Sequence, residues 1–180
     1  MLKERFPDHG FIGEEDGYSD EEIVRMLEAR PDDFFWIADP LDGTLNYIHG
    51  LGGYCVSLGL VKGREAVAGV IYAPVENELF WAQKGGGAYL NGRRLRVSDC
   101  AHLHDALLVT GVNPWDQEIR ARQTRLNEKT AMASMSLRML GSAAREIAHV
   151  AAGGIDAFYE VGPHPWDLAA AEILKRRFRR

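Results

Sequence analysis

The chain of 180 residues is 46% hydrophobic and 26% charged, an ordinary globular mix with enough length for one domain and a sizeable core. Its 21 basic and 26 acidic side chains leave a net charge of −5, which argues against general nucleic-acid binding. No apolar run is long enough to span a bilayer, and the start MLKERFPDHG lacks the apolar core of a signal peptide.

In chain order, FIGEED (11–16) sets Glu14, Glu15 and Asp16 after an apolar pair and a glycine; alone it reads as a solvated charge run before a helix. SDEEIVRMLEA (19–29) predicts that helix. Ser19 is its N-cap, Glu22 completes a capping box, and Ile23, Met26 and Leu27 share a face. FFWIA (34–38) predicts a strand buried on both faces. GYCVSLGLV (53–61) and AVAGVIY (66–72), joined by KGRE, predict an antiparallel hairpin. ELFWA (78–82) follows a turn containing Pro74 and Asn77, and Asn91-Gly92 marks a hairpin within AYLNGRRLRV. ALLVT (106–110) predicts another strand.

Asn113-Pro114 reads as the N-cap and first residue of a helix through WDQEIRARQTRLNEKT. Ser142 reads as the cap of AAREIAHVAAGG, which Gly153 or Gly154 closes. IDAFYEV (155–161) predicts a strand, and a last helix starts near Trp166 and runs through DLAAAEILKRR. Hairpins mixed with helices point to layered sheets and helices. KGGGAYLNG misses the GxGxxG spacing and reads as a turn, and His102 and His104 read as surface residues. Cys55 reads as core. With Cys100 it forms no CxxC pattern, so a reducing, cytoplasmic setting is expected. KRRFRR (175–180) reads as a solvated basic end.

In WIADPLDGTLNY (36–47), Asp39 and Asp42 stand at the end of an apolar strand. Two buried like charges repel, and a hard divalent cation relieves both the repulsion and the burial. Pro40 stiffens the link, Gly43 permits a sharp turn, and the N–H groups of residues 43–45 offer a cradle for an anion. The stretch by itself reads either as a metal pair beside that cradle or as a strand ending in an acidic turn. Asp167, in EVGPHPWDLAAAE, reads by itself as a first-turn aspartate.

GEED, DPLDGTLNY and GPHPWDLAAAE occur in the order and approximate spacing of the inositol monophosphatase family, which the chain resembles from residue 4 to about 174. That family belongs to the magnesium-dependent, lithium-sensitive sugar phosphatases. AGVIYAPVENELFWAQKGGGAYLNGRRLRVS is similar to its central sheet, and GSAAREIAHVAAGGIDAFYE to its later helix and strand. The resemblance implies an α/β (α+β) fold, the layered αβαβα sandwich shared with fructose-1,6-bisphosphatase. It implies one partial domain over 1–180, incomplete at both termini, with 175–180 a basic tail. The family aspartate that pairs with the threonine matched by Thr44 has no counterpart here.

By position, the resemblance implies that Glu14, Asp39, Leu41 (through its carbonyl), Asp42 and Asp167 bind Mg²⁺, or Mn²⁺ in its place. Glu14, Thr44 and Asp39 would be catalytic, with Thr44 helping to orient the attacking water. Gly43 and Thr44 would hold phosphate, and Glu160, Ala143 and His164 would meet the substrate. The implied function is a phosphomonoesterase acting on inositol monophosphate or a related small polyol or sugar phosphate, and the implied assembly a homodimer. Alternatives are the same chemistry on histidinol phosphate, fructose 1,6-bisphosphate or a 3′-phosphoadenosine nucleotide, or an inactive homologue that binds RNA or protein.

Overall fold

The computed structural model describes residues 2–175. The elements run α1 (Leu2–Arg5), β1 (Gly10–Gly13), α2 (Asp20–Ala29), β2 (Phe34–Asp42), α3 (Thr44–Ile48), β3 (Cys55–Lys62), β4 (Glu65–Ala73), β5 (Glu78–Gln83), β6 (Gly87–Leu90) and β7 (Arg93–Arg94). They continue with β8 (Leu107–Val109), α4 (Gln117–Ala133), β9 (Ser136–Arg138), α5 (Ala143–Ala151), β10 (Ala157–Phe158) and α6 (Pro165–Lys175). A seven-stranded sheet is ordered β1-β2-β3-β4-β5-β6-β7, and a three-stranded sheet β10-β8-β9.

The large sheet is a run of antiparallel neighbours with β1 added in parallel at the β2 edge. Its turns follow from local chemistry. Asn91 and Gly92 both take positive φ (47° and 80°), the backbone a two-residue hairpin needs. The Asn91 side chain also accepts from Leu79 N–H at 2.9 Å, tying the turn to β5. Ser19 and Glu22 form the expected capping box on α2.

Helix α6 packs on one face of this sheet because both partners are stripped of side chains where they meet. A Cβ on Gly59 would lie 2.5 Å from the carbonyl carbon of Ala169, and one on Gly69 would lie 2.5 Å from Ala170 O. Ala169 and Ala170 therefore sit directly on β3 and β4, Ile173 reaches Gly69, and Ala171 and Leu174 are buried with them. On the opposite face Val56, Val70, Tyr72 and Leu79 are exposed.

Several expectations change. Strand β2 is not buried on both faces: Phe35 and Ile37 are core, while Phe34 and Trp36 are half-buried, Trp36 beside Phe6 at 5.7 Å. It also runs past Ala38 to Asp42. Helix α4 is capped by Asp116, whose Oδ1 accepts from the N–H groups of Glu118 and Ile119 at 2.8 and 2.9 Å. Asn113 instead accepts from Trp115 and Asp116 N–H, a local turn that ends before the helix starts. Ser142 occupies the N-cap position of α5 but makes no capping bond with its side chain. The strands expected at 106–110 and 155–161 contract to Leu107–Val109 and Ala157–Phe158, and α1, β1 and β9 had no expected counterpart. The expected helix end at 177 and the basic end lie outside the described residues beyond Lys175. Among the described residues no helix is long and apolar enough to cross a membrane.

Candidate metal centre and active site

Alternation along β2 would send Asp39 and Asp42 to opposite faces, since they are an odd number of positions apart. Pairing with β3 shows why they share one. Asp39 lies opposite Ser57 and Asp42 opposite Cys55, so β2 fits one extra residue into the interval. Pro40, which has no N–H to give to a ladder, falls in this bulge. Both aspartates thus turn to the buried side, at 2% and 7% exposure.

Gly43 then takes φ 93°, and a Cβ there would come within 3.1 Å of both Gly141 O and Tyr54 Cα. Helix α3 starts immediately after it. Thr44 Oγ1 donates to Leu41 O at 2.9 Å, and Leu41 N–H donates to Asp39 Oδ1 at 2.8 Å. Asn46 Nδ2 donates to Gly53 O and Leu140 O, joining α3 to the loop before α5.

Asp167, in the first turn of α6, completes a cluster in which one carboxylate oxygen each from Asp39, Asp42 and Asp167 lie within 4.8 Å of one another. Glu14, in the single 3₁₀ turn after β1, brings its carboxyl against that of Asp39. Burial, then the charge of Asp42 and that of Glu14, pushes the Asp39 carboxyl up to about 8. Burial also raises Asp42, against hydrogen bonds from Ser142, Ala144, Cys55 and Ala143. Asp167 rises to about 6 through burial and Asp42, opposed by the His164 N–H. Glu160 rises to about 7 through burial, Asp167 and Asp42. Crowded, buried, all-oxygen donors of this kind match a hard divalent cation, which offsets both the burial and the mutual repulsion of the carboxylates.

Glu14, Asp39, Asp42 and Asp167 therefore converge, from the turn after β1, β2 and α6, while Glu15 and Asp16 are exposed. The Leu41 carbonyl, between Asp39 and Asp42 in sequence, accepts from Thr44. The Ala143 N–H is directed at Asp42. His164 joins the centre through its backbone, donating to Asp167 Oδ2 at 2.7 Å. Its ring bonds Asp20 at 2.9 Å and stacks on Trp166. Among the surface and core expectations, Cys55 is core and His102 and His104 are exposed.

Ser142 and Glu146 were not foreseen as parts of the site. Ser142 Oγ donates to Asp42 Oδ2 at 2.7 Å, beside Ala144 N–H at 2.8 Å, and the Cys55 thiol abuts both side chains. Glu146, 1% exposed, accepts from Leu140 and Gly141 N–H through Oε1, and burial pushes it to about 8. The visible signal was a hydroxyl before, and an acid within, the first turns of a largely small-residue helix, a pattern that equally suits a cap.

A model of the inositol monophosphatase family matches residues 1–176. Nus factor SuhB of Xylella fastidiosa is 39% identical over 175 residues, covering 97% of this chain and 60% of that protein. Inositol monophosphatase of Dictyostelium discoideum is 43% identical over 175 residues, 96% of this chain and 62% of that protein. The solved inositol monophosphatase of Anabaena (Nostoc) sp. PCC 7120 superposes with a TM-score of 0.83 at 36% identity, over 98% of this chain and 67% of that one. The chain spans about 60% of the length of the curated relatives it matches.

Proposed function

The chain belongs to the inositol monophosphatase family and has its α/β fold, and on that premise we propose that it is a Mg²⁺-dependent phosphomonoesterase of small polyol or sugar phosphates, inositol monophosphate first among them. The observation that carries the reading is the meeting of Asp39, Asp42 and Asp167, with Glu14 against Asp39, on three separate elements. Nothing in the packing of a core calls for buried carboxylates to be gathered so closely.

Glu14, Asp39, Asp42, Asp167 and the Leu41 carbonyl would hold Mg²⁺ or Mn²⁺. When bound, such ions acidify water and neutralise phosphoryl charge. Asp39 is fixed by the Leu41 N–H, and Asp42 by Ser142 and Ala144, which limits how far either carboxylate can turn from the centre they share. The Thr44 hydroxyl spends its proton on Leu41 O, which leaves its oxygen able to accept a hydrogen bond and orient a water. The amides of Gly43 and Thr44 bind phosphate oxygens at the start of α3. Glu160 takes hydrogen bonds from substrate hydroxyls.

Phosphate release from inositol monophosphate, histidinol phosphate, fructose 1,6-bisphosphate and a 3′-phosphoadenosine nucleotide, with Mg²⁺ and with EDTA, tests this. Turnover of a polyol or sugar ester that needs Mg²⁺ and is inhibited by lithium is expected. Metal-independent turnover, or full activity in Asp39→Asn, overturns it. The relatives named Nus factor SuhB favour a second reading, an interaction role without turnover; a folded, Mg²⁺-binding chain that releases no phosphate from any ester would select it.

A further inference from the structure

Glu160 is held by a buried apparatus that the metal centre does not use. Strand β10 ends at Phe158, and one more backbone bond, Tyr159 N–H to Val109 O at 3.2 Å, closes its pairing with β8. Side chains then take over on both sides of Glu160. Thr110 Oγ1 donates to Tyr159 O at 2.7 Å, and Gln123 Oε1 accepts from Val161 N–H at 2.6 Å. Gln123 Nε2 donates to Thr110 Oγ1 at 2.9 Å, which joins the two clamps. Thr110 and Gln123 are both 0% exposed. Buried polar groups this fully engaged cost desolvation and give back a fixed geometry. The geometry they fix is that of the peptide units flanking Glu160.

Gly111 sets the other coordinate. A Cβ there would fall 2.4 to 2.8 Å from the carboxyl atoms of Glu160, so the carboxyl lies flat on a position that only the absence of a side chain leaves open. The clashing atoms are the tip of a flexible side chain, so an alanine displaces the carboxylate and not β8. A carboxylate with a fixed plane can accept from two adjacent hydroxyls, and a displaced one cannot do so in register.

We propose that Thr110, Gln123 and Gly111 are positioning residues for Glu160 and set a preference for phosphate esters carrying hydroxyls beside the ester carbon. This rests on the reading of Glu160 as a contact for substrate hydroxyls. The test measures, by calorimetry on the Mg²⁺-loaded full chain, affinity for a polyol phosphonate and for methylphosphonate, neither of which can be hydrolysed. The polyol ligand binds wild type at least about tenfold more tightly, the scale of one charge-assisted hydrogen bond. Thr110→Val and Gly111→Ala remove most of that advantage and leave methylphosphonate affinity unchanged, while Thr110→Ser, which keeps the hydroxyl, retains it. Gly111→Ala leaves the buried network whole and decides the matter if Thr110→Val does not fold. Variants that weaken both ligands equally, or keep the full advantage, overturn the inference and leave the phosphatase reading standing. Equal binding of both ligands to wild type also overturns it, whereas failure of wild type to bind either one removes the phosphatase reading and this inference together.

Discussion

Asp39 and Asp42 stand on a nine-residue strand inside a seven-stranded sheet, whereas Glu160 stands just past a two-residue strand at the edge of a three-stranded one. On the first side, the backbone of the sheet does much of the positioning: a bulge in β2 turns both aspartates inward, and Ser142 and Ala144 hold one oxygen of Asp42. On the second side the ladder is too short to hold its neighbours, and Thr110 and Gln123 replace it. The long strand presents its acids through its own register and a few bonds from the start of α5, while the short strand leaves Glu160 to a buried hydrogen-bonded frame.

The sharpest way to break this comparison is Asp39→Asn. It should weaken Mg²⁺ or Mn²⁺ binding by more than the roughly 100-fold that losing an outer-shell partner costs, as read by calorimetry. Removing the neighbour that repels Asp42 should also make the metal-free chain melt at higher temperature. Ser142→Ala comes next, with metal affinity reduced about 10- to 100-fold and rescued by Ser142→Thr, because the hydroxyl that donates to Asp42 is lost and then restored.

Gly69→Ala tests the packing beneath Asp167. Its Cβ meets Ala170 O at 2.5 Å and Ala170 Cα at 2.8 Å, so it should lower stability by about 1–3 kcal/mol in a denaturant melt and weaken metal binding by shifting α6. The same acids set a pH dependence. With folded values raised to about 6 for Asp167 and about 8 for Asp39, the folded metal-free chain holds protons that the unfolded chain has released. That stability is present below their ordinary value of 3.8 and is lost as pH rises through about 6 and about 8. Thermal melts in EDTA should therefore fall across this window, and Mg²⁺ should reverse the fall at its upper end. Arg64→Ala, which removes an exposed pair with Glu28 at 2.9 Å far from either carboxylate group, should cost no more than about 1 kcal/mol and leave metal binding intact.

Local chemistry made much of this legible. Ser19 and Glu22 announced α2, Asn91-Gly92 announced its hairpin, and apolar runs located β3, β4 and β5. The acids at 14, 39, 42 and 167 could be picked out because charge at the end of an apolar strand or beside a small-residue helix is conspicuous, and because their order matched a family pattern. Ser142 holds the expected N-cap position, but its bond to Asp42 was not legible, because a cap and a carboxylate partner look the same in one dimension. Strands β9 and β10 were missed or overdrawn because two or three residues carry no measurable periodicity.

What the sequence determined by itself was which residue types were on hand and where the backbone could turn, since caps, glycines and hairpin dipeptides act over a few positions. Only the tertiary structure decided that Asp42 would share a face with Asp39, that α6 would settle onto Gly59 and Gly69 and bring Asp167 to them, and that Thr110 would meet Gln123 around Glu160. Those outcomes depend on pairing register and on contact between elements distant in the chain, and no local preference encodes either one.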